Sequence, residues 1–335
     1  MKRRYIVTGA AGHLGGTIIR LLQTQNVDVA GLLRPGEAPV AESERTRYVY
    51  GDVCQSETLE PLFTDGDGQD TVVIHTAGLI SIADRVSPLV REVNVTGTAN
   101  MIVLGKRYGV NRFVYVSSVH AIPELPTGRR ICETNHFSPS LVRGGYAKTK
   151  AEATQLVLDA ADQGFPAVVV HPSGIIGPYD TGNNHLTQLV ADYLRGKLPL
   201  CVKGGYDFVD VRDVAQGCLL AAERGQTGRC YILSGHYLTI YELLTRAGVL
   251  GGRKPPCIVP MLLAKLAAPA VQAAARLQGR RPLYTCYSLY TLSSNSDFSS
   301  ERAKAELGYQ PRRMDATLWD MVLWLTSQED MGSPA

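Results

Sequence analysis

Thr8-Gly-Ala-Ala-Gly-His-Leu-Gly15 follows the short apolar run Tyr5–Thr8 and opens a segment with helical periodicity. Glycines at three positions allow a tight turn, and they let backbone N–H groups approach a pyrophosphate at the helix N-terminus. The spacing differs from G-x-G-x-x-G, so the triplet is informative only between a strand and a helix. We predict a dinucleotide site at this turn, formed by Gly9, Gly12, His13, Leu14 and Gly15; the alternative is a turn without a ligand.

Short apolar runs alternate with helical patterns through the first half of the chain. The predicted strands are Tyr5–Thr8, Val27–Leu33, Tyr48–Tyr50, Thr71–His75, Phe113–Ser117 and Ala167–Val170, with Ala151–Ala161 as a helix before the last. Continuous apolar strands separated by helices indicate a parallel sheet covered on both faces. The predicted fold class is therefore α/β, a doubly wound parallel sheet of the Rossmann type.

The pattern changes near Pro172. We expect long irregular stretches at Pro178–Asn184, Lys197–Phe208, Gly251–Pro260 and Gly279–Ser300, and one more strand at Cys230–Leu233. Long loops in a compact domain are often functional. The predicted organisation is a dinucleotide-binding domain over 1–172, to which 208–235 returns, and a smaller substrate-binding region over 173–207 and 236–330.

Composition excludes several classes of protein. The chain has 335 residues, 45% hydrophobic and 19% charged, with a formal net charge of +3. This composition is globular rather than disordered, and the first 250 residues lack the basic concentration typical of nucleic-acid binding. Seven scattered cysteines have no zinc spacing, so we predict reduced thiols, no metal site and a cytoplasmic protein. The apolar stretch Ile258–Ala275 contains Lys265 and two prolines; a packing or lid helix is favoured over a membrane-surface role.

The second predicted strand ends at Arg34. An acidic residue there would bind the ribose hydroxyls of an adenosine, whereas an arginine can neutralise a 2′-phosphate. Arg34 therefore favours NADP(H), with NAD(H) as the alternative cofactor; a solvated surface arginine is the structural alternative.

Tyr146 and Lys150 stand four residues apart and would share one face of a helix. A free tyrosine has a pKa of about 10, and an adjacent ammonium group favours its phenolate. Such a pair can exchange a proton with a carbonyl or alcohol oxygen. An ordinary exposed helix face is the alternative.

Together these motifs resemble the extended short-chain dehydrogenase/reductase family, over most of the chain. The matching segments are Thr8–Gly15, Gly51-Asp-Val53, His75-Thr-Ala-Gly78, Val93-Asn-Val-Thr-Gly-Thr98, Tyr115-Val-Ser-Ser118, Tyr146/Lys150 and Ala303-Lys-Ala-Glu-Leu-Gly-Tyr-Gln-Pro311. Several motifs in the right order are far more specific than any one alone.

The resemblance implies a role for each matching residue. Tyr146 would be the general acid/base, Lys150 would hold the nicotinamide ribose and tune Tyr146, Ser118 would bind the substrate oxygen, and Asn94 would support Lys150 through a water. Each of three residues also has a structural alternative: Asp52 as a turn residue, Asn94 as a polar contact of its helix, and Ser118 as a cap at the end of a strand. The remaining cofactor contacts that the family implies are Asp52, Val53, Thr76, Ala77, Gly78, Pro172 and Ile175. A homodimer packed through the helices Val86–Arg107 and Tyr146–Ala161 is also implied.

The segment His171-Pro-Ser-Gly-Ile-Ile-Gly-Pro178 narrows the chemistry. Gly174 stands where the sugar-nucleotide epimerases and dehydratases of the family have an asparagine that contacts the nucleotide. Val119 and His120 follow Ser118, where dehydratases have acids. The segment is closer to the dihydroflavonol reductase and 3β-hydroxysteroid dehydrogenase branches, whose substrates are hydrophobic ring compounds. His171 replaces an arginine common there; a strand-end histidine without a catalytic function is the favoured interpretation.

The predicted activity is hydride transfer between nicotinamide and a hydrophobic cyclic alcohol or ketone, with a linked isomerisation left open. A sugar epimerase with retained cofactor and a non-catalytic NADP(H)-binding protein are the alternatives. Met261, Leu262, Leu263, Leu266, Tyr284, Tyr287 and Tyr290 would either contact the apolar substrate or only pack the small region. Arg276, Arg280 and Arg281 could bind a phosphorylated substrate or anionic lipid, although a solvated face is favoured.

Overall fold

A computed structural model describes residues 3–64, 69–83, 87–181, 184–277 and 284–332. The strands are β1 (Arg3–Thr8), β2 (Asp28–Leu33), β3 (Thr46–Tyr50), β4 (Asp70–His75), β5 (Arg112–Val116), β6 (Ala167–Pro172), β7 (Gly174–Ile176), β8 (Leu200–Val202), β9 (Gly205–Asp210), β10 (Cys230–Leu233), β11 (His236–Thr239) and β12 (Cys257–Val259). The helices are α1 (His13–Gln23), α2 (Pro61–Thr64), α3 (Pro88–Arg91), α4 (Gly97–Arg107), α5 (Gly145–Asp162), α6 (His185–Leu194), α7 (Val211–Arg224), α8 (Ile240–Leu250), α9 (Met261–Leu277), α10 (Cys286–Thr291) and α11 (Met314–Gly332).

The main sheet has seven parallel strands in the order β10-β6-β5-β4-β1-β2-β3. The predicted doubly wound parallel sheet is confirmed. The chain runs outward from β1 through β2 to β3 and then returns to β4 on the other side of β1. This reversal opens a crevice at the carboxyl ends of β1 and β4, where doubly wound folds bind their ligands.

Alternate residues of the central strands face two separate hydrophobic layers. Ile6 and Val73 lie in the layer that α4 and α5 cover, whereas Val7 and Ile74 lie in the layer that α1 and α7 cover. Both faces are therefore buried, which explains why these strands are continuous apolar runs rather than alternating ones. The arrangement fixes the carboxyl ends of the strands as a rigid platform.

The smaller region contains more regular structure than the sequence predicts. A three-stranded sheet has the order β11-β9-β7, and β8 pairs with β12. Three of the stretches expected to be irregular are therefore wrong in part. Lys197–Phe208 contains β8 and the start of β9, Gly251–Pro260 contains β12, and Gly279–Ser300 contains α10. Three-residue strands have too few residues to express a periodicity, and they form here because tertiary pairing satisfies their backbones.

Candidate active site

The glycine turn at the end of β1 is built for close backbone approach. Gly9 has a positive φ of 68°, and a Cβ on Gly15 would overlap the Gly9 carbonyl oxygen. Helix α1 begins immediately afterwards with Gly12 at its N-cap, no side-chain cap and no acidic residue in its first turn. The first N–H groups of α1 therefore remain available to an anion, and the turn fits the pyrophosphate of a dinucleotide.

His13 connects this turn to the smaller region. Its Nε2 lies 2.9 Å from the Pro178 carbonyl oxygen, and its Nδ1 lies 3.2 Å from Nδ2 of Asn184, the N-cap of α6. Burial lowers the pKa of His13. Leu14 is buried in the hydrophobic layer beneath α1. The structure thus places His13 and Leu14 at the turn, with the imidazole directed at Pro178 and Asn184.

The carboxyl ends of β1 and β4 are joined by side chains. The Thr8 hydroxyl lies 2.7 Å from Nδ1 of His75 and accepts a bond from the Ala77 N–H at 3.1 Å. Thr76 donates to the Thr8 carbonyl at 2.6 Å. Burial and the nearby Lys150 lower the pKa of His75 to about 3, so its ring is neutral. These bonds hold the predicted cofactor segment Thr76–Gly78 beside the glycine turn.

Three predicted cofactor residues lie after β2 and β3. The Arg34 guanidinium is exposed and forms an ion pair with Glu37 at 2.7 Å, while the Arg34 N–H also donates to that carboxylate at 2.8 Å. Asp52 accepts a bond from the Cys54 N–H at 2.9 Å, which closes the turn after β3. Val53 is buried against Gly97 at the start of α4. Glu37, the ion-pair partner of Arg34, was not predicted from the sequence.

Ser118, Tyr146 and Lys150 converge at the carboxyl end of β5. Burial raises the pKa of Tyr146 to about 12, and a hydrogen bond with Ser118 partly offsets this effect. Lys150 donates to the Val116 carbonyl at 2.8 Å and lies 3.5 Å from the Tyr115 hydroxyl. Burial lowers the pKa of Lys150 to about 7. Lys150 is not among the groups that shift the pKa of Tyr146 here, since its ammonium group is directed at the Val116 carbonyl, and its role in acidifying Tyr146 stays a prediction.

Asn94 lies in a five-residue π-helical segment, Glu92–Thr96, between α3 and α4. Its carboxamide exchanges two hydrogen bonds with the Leu79 backbone and donates to the Thr149 hydroxyl at 3.0 Å. A Cβ on Gly78 would lie 3.2 Å from Asn94 Oδ1 and 3.4 Å from Lys150 Nζ. The structure thus brings Gly78, Asn94 and Lys150 together, with a glycine keeping the space beside the ammonium group open.

A wall of aromatic rings faces Tyr146. The His120 ring lies 6.2 Å from those of Tyr146 and Tyr287 and stacks on Tyr206 at 5.6 Å. His120 Nε2 and the Tyr206 hydroxyl are 3.0 Å apart. Burial lowers the pKa of His120 to about 4, so the ring is neutral. From the sequence, His120 argued only against a dehydratase, and Tyr206 was not predicted because it stands 86 residues from its partner His120.

Gly174 opens β7 directly against this wall. A Cβ at Gly174 would lie 3.0 Å from the Tyr206 ring and 3.0 Å from the Asp207 carbonyl oxygen. The position where the sugar-nucleotide branches have an asparagine is therefore filled from the other side by a tyrosine ring.

The segment before Gly174 belongs to β6, which pairs with β5 in the main sheet. His171 is fully buried, stacks on Phe137 at 5.2 Å, and lies 3.0 Å from the Ser118 carbonyl oxygen through Nδ1. Pro172 pairs with Leu233 at the end of β6, and Ile175 packs against the α1 side of the core. The predicted cofactor residues Pro172 and Ile175 thus lie at the carboxyl edge of the sheet, and His171 holds the Ser118 backbone.

The presumed lid residues divide into two groups. Tyr287 is buried beside His120, and Tyr290 donates to Glu124 at 2.5 Å. Leu262, Leu263 and Leu266 are largely exposed, so they do not pack the small region, and their contact with a substrate stays a prediction. Arg280, Arg281 and the side chain of Arg276 lie outside the described residues. Within the part of the chain that the structure describes, no helix has the length and apolar character needed to span a bilayer.

A glycine turn at the switch point of a parallel sheet, with a tyrosine and a lysine on the following helix, defines a nicotinamide-dependent oxidoreductase fold. Residues 5–234 match the NAD dependent epimerase/dehydratase family. The chain belongs to this family, and it is an enzyme of the extended short-chain dehydrogenase/reductase type.

Several relatives of known name are steroid-modifying enzymes. The chain is 30% identical over 325 residues to sterol demethylase protein B of Methylococcus capsulatus, covering 95% of this chain and 97% of the relative. It is 29% identical over 328 residues to a 3-beta-hydroxysteroid dehydrogenase of Mycolicibacterium neoaurum, covering 92% and 87%. The crystal structure of gox2253 superposes with a TM-score of 0.81 at 29% identity, covering 98% of this chain and 99% of that one. The predicted resemblance to the steroid dehydrogenase branch is confirmed.

Proposed function

We propose that this enzyme transfers a hydride between a nicotinamide cofactor and a hydrophobic cyclic alcohol or ketone, with a 3-hydroxysteroid as the first substrate class to test. The observation that carries the proposal is the aromatic wall of His120, Tyr206 and Tyr287 facing the Tyr146 phenol. Aromatic rings offer a broad apolar surface to a fused-ring substrate, and their few polar tips can orient it. A flavonoid ketone is the second class.

Tyr146 would move the proton in this reaction. Its phenol is buried and protonated at neutral pH, so it is ready to donate to a carbonyl oxygen as that oxygen gains negative charge. Ser118 is hydrogen-bonded to Tyr146 and would hold the same substrate oxygen. Lys150 would bind the ribose through the open space at Gly78. When bound, the nicotinamide supplies or accepts the hydride.

The packing of Gly174 supports an apolar substrate over a sugar nucleotide. A glycine has no side chain to bond a diphosphate, and the Tyr206 ring lies where a larger residue would project. The names of the two steroid-modifying relatives support the same choice. No described residue is assigned as the base of a linked double-bond isomerisation.

NADP(H) is the proposed preferred cofactor, with NAD(H) also accepted. Arg34 is an exposed cation at the end of β2, and a 2′-phosphate would take the place that the Glu37 carboxylate now occupies. The Glu37 carboxylate competes with the 2′-phosphate for Arg34. The expected preference for NADP(H) is therefore weaker than it would be if Arg34 had no carboxylate partner.

A homodimer packed through α4 and α5 is the proposed assembly. These helices pack side by side on one face of the sheet, and they expose Val103 and Leu156 to solvent. Burying such apolar side chains against a second copy is the ordinary driving force for a symmetric helix interface.

The function is tested by measuring nicotinamide absorbance with a panel of steroid and flavonoid ketones and alcohols, using NADPH and NADH in parallel. We expect turnover with steroids, and we expect Tyr146→Phe to remove turnover while leaving cofactor binding intact. Epimerisation of a sugar nucleotide without net NADPH consumption, with nucleotide retained through purification, would contradict the proposal. Cofactor binding without turnover on any of these substrates would instead indicate a sensor.

A further inference from the structure

Helix α9 presents its bulkier apolar side chains to solvent and its smaller ones to the protein. The packed stripe consists of Met261, Ala264, Ala268 and Gln272, which lie three or four residues apart. Ala268 forms a buried cluster with Val202 and Leu289, and Met261 and Ala264 pack against that cluster. On the opposite face, Leu262 is 70% exposed, Leu263 56% and Leu266 72%. A helix that only packs the small region would direct its leucines inward. An ordinary surface helix buries its large apolar side chains, whereas α9 exposes them to solvent.

The exposed leucines lie within a segment that has only positive charges. Residues 243–296 contain seven Lys and Arg and no Asp or Glu, whereas the rest of the chain has 27 basic and 31 acidic residues. Lys254 and Lys265 are exposed, and within the described ranges neither has a carboxylate within 4.0 Å. An apolar helix face in an acid-free basic segment matches an anionic, apolar surface in both respects.

Helix α9 also lies next to the wall of the candidate site. It packs on α10 through Ala268 and Leu289, and Tyr287 of α10 faces His120 in the aromatic wall. One helix thus separates the exposed leucines from the residues around Tyr146. A lipid surface bound at α9 would lie close to the site.

We propose that the exposed face of α9 docks on the surface of an anionic phospholipid bilayer. The leucines enter the boundary between headgroups and acyl chains, and the exposed Lys254 and Lys265 contact the headgroups. The helix lies on the bilayer, since no described helix is able to cross it. The test of this proposal does not depend on the proposed substrate, because vesicle binding is measured without substrate.

The test is sedimentation of the full chain with phosphatidylcholine vesicles that contain or lack phosphatidylglycerol. We expect the protein to pellet with the anionic vesicles and to be released by high salt. The double variant Leu262→Gln/Leu266→Gln is expected to bind about tenfold more weakly because it places amides in the headgroup boundary. Lys265→Glu is expected to weaken binding to anionic vesicles.

The matched control is Leu323→Gln, which alters an exposed leucine on α11. It is expected to pellet like the unaltered chain, and thermal unfolding verifies that every variant is folded. Failure of the unaltered protein to pellet with anionic vesicles would overturn the proposal. So would equal losses for the double variant and the control. Light scattering tests whether a second copy of the chain covers α9 instead. An oligomer that is lost in the double variant would show this and would overturn the proposal.

Discussion

Replacing His171 with phenylalanine is expected to lower stability at neutral pH and to raise it, relative to the unaltered chain, at about pH 5. His171 is fully buried against Phe137 and lies 3.0 Å from the Ser118 carbonyl oxygen, to which Nδ1 donates in the neutral ring. Its Nε2 has no hydrogen-bond partner among the described residues. The site therefore accommodates the neutral imidazole and offers nothing to stabilise a second proton.

The magnitude follows from the pKa of His171, which burial lowers to about 4. An unfolded chain has a histidine pKa of about 6.5. Below about pH 6.5 the unfolded chain binds a proton that the folded chain does not bind, so stability falls as the pH falls towards about 4. At about pH 5 this difference costs the unaltered protein about 2 kcal/mol, a cost that phenylalanine does not incur.

Phenylalanine keeps the stacking on Phe137 but cannot donate to Ser118, which costs about 1 kcal/mol at every pH. The two stability curves are therefore expected to cross between neutral pH and about pH 5. Urea unfolding at both pH values measures the crossing, with His136→Gln as the control because that histidine is exposed. Parallel curves for the His171 variant and the unaltered protein would refute the reasoning.

The remaining predictions concern the cofactor, the substrate and the assembly. Ser118→Ala is expected to lower kcat/KM by about 100-fold, in the range of proton-transfer contributions, without changing cofactor affinity; an unchanged rate in steady-state assays would remove Ser118 from the site. Arg34→Ala is expected to weaken NADPH binding about 10- to 100-fold and NADH binding hardly at all, whereas Glu37→Gln is expected to tighten NADPH binding about twofold to fivefold. Both affinities are measured by calorimetric titration. Equal losses of NADPH and NADH affinity in Arg34→Ala would contradict the assignment. Val103→Glu is expected to convert the dimer to a monomer because it places a charge in the apolar α4 surface; light scattering that gives one mass for both chains would exclude that interface.

Much of the fold could be predicted because its signals are local. The central strands are apolar runs bounded by glycine or polar residues, and β10 is found at the predicted Cys230–Leu233. The short strands β8 and β12 carry no such signal, since three residues cannot show a period and each depends on its distant partner. Prediction therefore succeeded where burial on both faces dictates composition, and it failed where pairing alone creates the strand.

The candidate site shows the same division. Tyr146 and Lys150 could be placed together because four residues make one helical turn, and Ser118 followed from its motif at the end of β5. The contact between His120 and Tyr206 joins residues that stand 86 positions apart, so no local spacing in the sequence predicts it. The direction of the Lys150 ammonium group depends on the Val116 carbonyl, a backbone group invisible to sequence reasoning.

The contact between Gly174 and Tyr206 constrains the evolutionary paths open to this enzyme. Because a Cβ at 174 would lie 3.0 Å from both the Tyr206 ring and the Asp207 carbonyl, an asparagine there requires the ring and the β9 backbone to shift. Laboratory selection for hydrophilic, phosphorylated substrates is therefore expected to favour a smaller residue at 206 together with a change at 174, although the two positions stand 32 residues apart in the sequence.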